Sequence, residues 1–75
     1  MRPGKRACAS RVLGLLSNGA IASGDIMDEL AVYYSRHHVG KVLSKLRRIG
    51  YVEGTEDGKN TLTGAGISAW SRDNN

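Results

Sequence analysis

With 75 residues, the chain is long enough for one small domain and too short for two separate hydrophobic cores. Its 11 basic and 7 acidic side chains give a formal net charge of +4, and this excess favours polyanionic partners. The single cysteine, Cys8, excludes an intramolecular disulfide and indicates a reducing compartment. The longest apolar runs fall far short of the ~20 residues that cross a bilayer, and no signal-peptide core follows the basic N-terminus. We therefore expect a cytoplasmic protein that does not enter a membrane.

The first half of the chain predicts two helices joined by a short strand. Apolar residues recur at helical spacing over residues 7–17, and Asn18-Gly19 follows as a stop. Residues 20–22 are too few for a helix and are expected to form a short strand. Ser23 is then a suitable N-cap for a second helix that runs over residues 24–31.

A third helix, over residues 36–48, is predicted to have one apolar side and one basic side. Ser35 can cap its first turn, and Gly50 can end it. Five apolar residues recur at helical spacing: Val39, Val42, Leu43, Leu46 and Ile49. Five basic residues occupy the remaining surface: Arg36, Lys41, Lys45, Arg47 and Arg48. Because this segment contains no acid to offset them, one side of the helix requires a core and the other favours an anion.

After Gly50 the pattern changes from helix to hairpin. Residues 51–53 and 61–63 have the composition of short strands, and Asp57-Gly58 between them is typical of a tight turn. Ile67 and Trp70, at i and i+3, permit a short fourth helix against the core. The expected organisation is a basic flexible arm at residues 1–6, a folded domain at residues 7–70 and a frayed tail at residues 71–75.

The order helix, short strand, helix, turn, basic helix and hairpin is that of a winged helix-turn-helix. The strings GDIMDEL, VGKVLSKLRRIGYVEG and NTLTGAG resemble the winged helix-turn-helix transcriptional regulators. In that family the basic helix ends in a Leu-x-x-x-Gly-hydrophobic-Val step, and the second wing strand ends in Leu-Thr followed closely by glycine. The resemblance covers residues 9–66. It implies an α+β, mainly helical fold with three helices and a two-stranded wing, and sequence-specific binding of double-stranded DNA.

The third helix is the expected recognition helix, because the major groove admits one α-helix whose inner stripe stays anchored to its own domain. Steps of ~100° per residue place four side chains opposite the apolar stripe: His37, Lys41, Ser44 and Arg48. The first turn of such a helix enters the groove first, so base contacts are expected from Arg36, His37 and Lys41. Phosphate contacts are expected farther along the helix, from Lys45, Arg47 and Arg48. Gly40 either lets the backbone approach DNA or another helix, or is a tolerated surface glycine.

Two further segments are candidates for DNA contact. The N-terminal arm offers phosphate contacts from Arg2, Lys5 and Arg6. The wing is acidic, with three acids against one lysine between Glu53 and Asn60, so its close approach to phosphates would be repulsive. It therefore leans away from DNA, contacts it only through Lys59, Asn60 and backbone amides, or binds a protein.

No catalytic, metal or cofactor site is predicted. Adjacent histidines such as His37 and His38 diverge by about 100° on a helix, and no second ligand pair follows at metal-site spacing. No nucleophile elbow, phosphate loop or apolar carboxylate pair is present, and no small-molecule ligand is evident. The alternative function is a protein–protein interaction module that uses the acidic wing or the Trp70 surface. The sequence leaves open whether the chain forms a homodimer.

Overall fold

The computed structural model describes the backbone of residues 5–73 and the side chains of residues 7–72. In chain order the elements are α1 (Lys5–Leu16), β1 (Ile21–Ala22), α2 (Ser23–Glu29), α3 (Arg36–Arg48), β2 (Val52–Gly54), β3 (Lys59–Leu62) and α4 (Gly64–Asp73). The three strands form one antiparallel sheet in the order β1-β3-β2. The fold is therefore α+β and mostly helical, as the sequence predicts. In the described part of the chain, no helix combines the length and apolar character that crossing a bilayer requires.

The predicted hairpin is present as β2 and β3. Val52 pairs with Leu62 and Gly54 with Asn60, so the second strand begins two residues earlier than its composition indicates. Gly58 has a φ of 80°, a left-handed conformation that glycine adopts without steric cost. On its other edge β3 pairs with β1, where Ile21 lies opposite Asn60. The central strand therefore connects the hairpin to the segment that precedes α2.

The core lies between the helices and one face of the hairpin. Its buried apolar members are Cys8, Val12, Leu13, Leu16, Ile26, Leu30, Tyr34, Val39, Val42, Leu43, Leu46, Val52 and Ala69. Four of the five residues in the predicted stripe of α3 are among them. The fifth, Ile49, is 48% exposed, so the last residue of the predicted stripe is not buried. It occupies the C-cap, where the chain leaves the helix and turns at Gly50.

The ends of the helices follow local signals in α3 and a distant contact in α2. The Ser35 side chain accepts a hydrogen bond from the backbone N–H of His38 at 3.1 Å, which confirms the predicted cap. In α2 the predicted cap is wrong. Ala22 occupies the N-cap without a side-chain hydrogen bond, while Ser23 Oγ accepts instead from Asn60 Nδ2 at 3.0 Å. The hydroxyl is engaged by the sheet and is unavailable to the helix.

Both predicted boundaries of the domain shift outwards in the structure. Helix α1 begins at Lys5 and α4 continues to Asp73, so residues 5–6 of the predicted arm and residues 71–73 of the predicted tail are helical. Thr63 caps the N-terminus of α4. Its hydroxyl accepts from the N–H of Gly66 at 3.1 Å and donates to the carbonyl of Gly50 at 2.5 Å. This residue therefore joins the start of α4 to the end of α3.

Gly66 allows α4 to lie directly on the base of the hairpin. A Cβ at this position would be 2.0 Å from the carbonyl oxygen of Tyr51, which is far inside van der Waals contact. Thr63 also donates its backbone N–H to that same carbonyl at 3.1 Å. The Leu-Thr-Gly-Ala-Gly segment thus has two structural roles here, a cap at its threonine and a close backbone approach at its second glycine.

Candidate functional site

A shallow depression lies along the outward side of α3, where this helix faces α2. It is lined by Met27, Arg36, His37, Gly40, Lys41, Ser44, Lys45 and Arg48. The four side chains predicted to lie opposite the apolar stripe are all in this set, and all four are exposed. The structure therefore brings His37, Lys41, Ser44 and Arg48 together on one accessible surface. The whole set of residues that line this depression is hereafter the α3 face.

Gly40 lies in the middle of the α3 face and borders α2. It is half-buried, and a Cβ there would lie 3.4 Å from Met27 Cε. Gly40 therefore lies beside a neighbouring helix. The approach does not strictly require glycine, because the contacting atom is the terminal methyl of a flexible side chain that can move aside.

One cation of the α3 face is already paired. Arg36 donates to Asp28 Oδ1 at 2.9 Å, and the two side chains are 64% and 70% exposed. The expectation that no acid offsets the basic helix is therefore wrong for Arg36, because the acid comes from α2. An exposed pair of this kind contributes about 1 kcal/mol at most. It holds Arg36 at the edge of the face without removing it from solvent.

Arg47 is turned away from the α3 face and toward the sheet. Its Nε donates to Asn60 Oδ1 at 3.1 Å, and its Nη2 donates to the same oxygen. Arg47 accordingly does not line the depression. Its predicted phosphate contact would require the guanidinium to leave this partner.

Asn60 is 0% exposed, which corrects the prediction that it contacts DNA. Its Nδ2 donates to the carbonyl of Ile21 and to Ser23 Oγ, both at 3.0 Å, while its Oδ1 accepts from Arg47. Arg47, Asn60, Ile21 and Ser23 are hereafter the Asn60 cluster. The cluster connects α3, β3, β1 and the start of α2 through one buried amide. The sequence gives no signal for this role, because the predicted strand covers residues 61–63 and leaves Asn60 in the turn.

The tip of the hairpin is acidic and well ordered by its own hydrogen bonds. Thr55 donates its backbone N–H to the carbonyl of Lys59 at 2.8 Å, and Lys59 donates its N–H to Thr55 Oγ1 at 3.0 Å. The Thr55 hydroxyl also donates to Asp57 Oδ1. This bond, a backbone N–H and the nearby Lys59 ammonium hold the pKa of the Asp57 carboxyl below its ordinary value. Lys59, a predicted DNA contact, is exposed, and its Nζ lies 3.9 Å from Asp57 Oδ2.

The two histidines diverge, as helical geometry requires. His37 lines the α3 face, whereas His38 stacks on Tyr34 with ring centroids 5.1 Å apart and planes 9° apart. Among the side chains of residues 7–72, no group of three or more His, Cys, Asp or Glu is placed to hold a metal ion.

Trp70 and the N-terminal arm also bear on the candidate functions. Trp70 is half-buried and packs against the core, so only part of its indole is accessible to a partner. In the N-terminal arm, Arg2 and the side chains of Lys5 and Arg6 lie outside the described residues, and their proposed phosphate contacts stay predictions.

Comparison with protein-family models, with curated proteins and with solved structures found no significant match. The functional interpretation therefore rests on the geometry and charge of the chain itself.

Proposed function

We propose that the chain is a winged helix-turn-helix protein that binds double-stranded DNA in a sequence-specific manner, as a transcriptional regulator with α3 in the major groove. The element order and the sheet order β1-β3-β2 support the winged arrangement. The hairpin β2–β3 directly follows the basic helix and would be the wing, and β1 would be the short strand between the first two helices.

The observation that carries the proposal is the set of uncommitted cations on the α3 face. Lys41, Lys45 and Arg48 are exposed, and none of them forms an ion pair with another described side chain. Lys41 and Arg48 are seven residues apart, which corresponds to ~10.5 Å along a helix. This length fits the major groove, which is about 12 Å wide. His37 and Ser44 add hydrogen-bonding groups between the charges, so the face combines phosphate binding with base contact.

The roles differ along the helix. His37 and Lys41 lie nearer its N-terminus and are assigned to base edges, while Lys45 and Arg48 are assigned to phosphates. Arg36 reaches a base only after its exposed pair with Asp28 opens. The acidic hairpin tip keeps the wing to a minor role, with a contact from Lys59 that competes with Asp57.

Selection from a random duplex library, followed by titration, tests this proposal. The purified chain should enrich a defined sequence and bind it more tightly than a scrambled duplex of equal length, because base contacts add to the phosphate contacts. Failure to enrich any sequence while binding all duplexes equally would reduce the function to non-specific binding. Absence of duplex binding at low salt would exclude DNA binding as the function.

The alternative, a protein-interaction module, is favoured by one specific observation, which is the ionised and hydrogen-bonded hairpin tip. Such a tip presents a hydrogen-bonded Asp57 carboxylate next to the exposed Glu56, which suits a basic partner. A pull-down with the wild-type chain and with Glu56→Lys/Asp57→Lys tests it. This alternative predicts a partner that the variant no longer retains, together with no duplex binding by the wild-type chain.

A further inference from the structure

A second depression, on a different side of α3, lies between α1, α3 and α4 and has a volume of about 800 Å³. Its buried lining is apolar and consists of Leu13, Val42, Leu46 and Ala69. Ile49, the exposed residue at the end of α3, also lines it. This depression is hereafter the α1–α4 groove. Ile49 is exposed because it lies on the wall of this groove, which is open to solvent.

The exposed rim of the α1–α4 groove is cationic. Lys41, Lys45 and Arg72 line it, and none of the three is ion-paired to another described side chain. Among the described residues no aspartate or glutamate lines the groove. An apolar floor between cations is complementary to an apolar ridge flanked by acids, so the charge pattern selects for an acidic amphipathic partner.

The extent of the groove along α3 favours a helix as that partner. The lining residues from His38 to Ile49 extend along α3 for ~16 Å, or about three helical turns. An amphipathic helix fills such a groove with apolar residues at i, i+3, i+4 and i+7. A second copy of the chain is a poor source of this ridge, because in its own acidic helix, α2, the central apolar residue Ile26 is 0% exposed.

We infer that the α1–α4 groove binds an acidic amphipathic helix from a protein partner, and that this partner competes with DNA. The competition follows from Lys41 and Lys45, which line both the groove and the α3 face. Acids of a docked helix would neutralise these two ammonium groups and leave fewer charges for phosphate. The docking itself does not depend on DNA, but the competition rests on the proposed function.

A fluorescein-labelled designed peptide of about 16 residues, or roughly four turns, tests the docking by anisotropy with the full chain. The peptide carries leucines on one stripe and glutamates on both flanks, and the control replaces every glutamate by lysine. The glutamate peptide should bind at low salt, and the lysine peptide should bind at least about tenfold more weakly because the rim repels it. Equal binding of the two peptides, or no binding of either, would overturn the inference. Two further measurements test other occupants of the groove. A molecular mass that shows self-association through the groove, or binding of dodecanoate but of neither peptide, would also overturn the inference.

Variants separate the groove from the α3 face. Ile49→Asp and Arg72→Glu change residues that line only the groove. Each should weaken binding of the glutamate peptide by about tenfold, or ~1.4 kcal/mol. Duplex affinity should stay within about threefold of wild type. Arg48 lines only the α3 face. Arg48→Glu should therefore weaken duplex binding and leave peptide binding near that of wild type. Circular dichroism checks the fold, and Ile49→Ser replaces Ile49→Asp if the latter is unfolded. Unchanged peptide binding in the folded groove variants would contradict the assignment.

A competition titration completes the test. Unlabelled glutamate peptide should displace a labelled duplex from the wild-type chain and should fail to do so from Arg72→Glu at the same concentration. Peptide binding without any duplex binding would remove the proposed function and leave the docking intact. Duplex binding that saturating peptide does not reduce would contradict the competition.

Discussion

The α3 face and the hairpin tip are connected through β3, yet they carry opposite charge and use it differently. On the α3 face, Lys41, Lys45 and Arg48 have no acidic partner among the described side chains. At the hairpin tip, Asp57 is hydrogen-bonded by Thr55 and lies beside Lys59. Free cations are available to an external anion, whereas a locally compensated charge is not. The sign of the charges and their availability, rather than their number, therefore distinguish the two regions as DNA-binding candidates.

The Asn60 cluster fixes how these two regions sit relative to each other. One buried amide is bonded to Arg47 on α3 and to the segment around Ile21 and Ser23. Arg47 therefore positions the hairpin against the helix. A basic residue that looks like a phosphate contact in the sequence has a structural partner, which leaves fewer charges on the α3 face than the sequence suggests.

The largest expected effect comes from reversing charge on the α3 face. Lys41→Glu together with Arg48→Glu changes the net charge by −4 and should weaken duplex binding by about a hundredfold or more, because two cations that face the duplex are replaced by acids that DNA repels. Both residues are exposed, so the urea midpoint should stay near that of wild type. Anisotropy titrations and urea unfolding measure the two quantities.

Matched single variants serve as controls for that experiment. Arg48→Glu and Arg72→Glu make the same change in charge on exposed residues, but only Arg48 lies on the α3 face. Equal loss of duplex affinity in the two variants would indicate a general effect of net charge and would contradict the assignment of the face.

The next effect concerns the Asn60 cluster. Asn60→Ala removes one acceptor and two donors from a fully buried position. It removes the buried amide that bonds Arg47, the Ile21 carbonyl and Ser23, so the free energy of unfolding should fall by about 2–3 kcal/mol. Urea unfolding measures it. Ser23→Ala removes one member of the cluster and should cost about 1 kcal/mol. A loss for Asn60→Ala no larger than that of Ser23→Ala would contradict the central role of the amide.

How much of this was accessible from the sequence depends on how far apart the interacting residues lie. The cap at Ser35, the stop at Gly50 and the Asp57-Gly58 turn are set by neighbours within a few positions, and all three were predicted. The partner of Asn60 Nδ2 at Ser23 lies 37 residues away, and Arg36 is paired across 8 residues to another helix. Composition and periodicity carry no information on such contacts, so Asn60 was mistaken for a DNA contact and Arg36 for an unpaired cation.

A comparable effect on stability is expected where α4 meets the base of the hairpin. Gly66→Ala forces the Tyr51 carbonyl to move, since the added Cβ would lie 2.0 Å from its oxygen. Overpacking of this kind should lower the free energy of unfolding by about 1–3 kcal/mol. Gly64→Ala is the control, because its Cβ would meet nothing within 4 Å. Equal unfolding midpoints for the two variants would contradict the close approach.

The smallest effect sharpens the contrast between the two regions. Glu56→Lys replaces an exposed acid of the hairpin tip with a cation, and Glu56→Gln removes the charge alone. If the tip lies near phosphate, duplex affinity should rise by about threefold for the lysine variant, or ~0.7 kcal/mol, and less for the glutamine variant. Anisotropy titration at low salt measures both changes. Unchanged affinity in both variants would mean that the hairpin leans away from the duplex.

The salt dependence of duplex binding reports directly how many cations of α3 meet phosphate. If all five basic residues of α3 neutralised phosphates, log K would fall with log salt at a slope of about −4 to −5. With Arg36 paired to Asp28, Arg47 held by Asn60 and Lys41 assigned to base edges, two cations remain for phosphates, and we expect a slope of about −2. In Lys41→Glu/Arg48→Glu this slope should approach −1. A wild-type slope near zero, or one that the double variant leaves unchanged, would contradict the account.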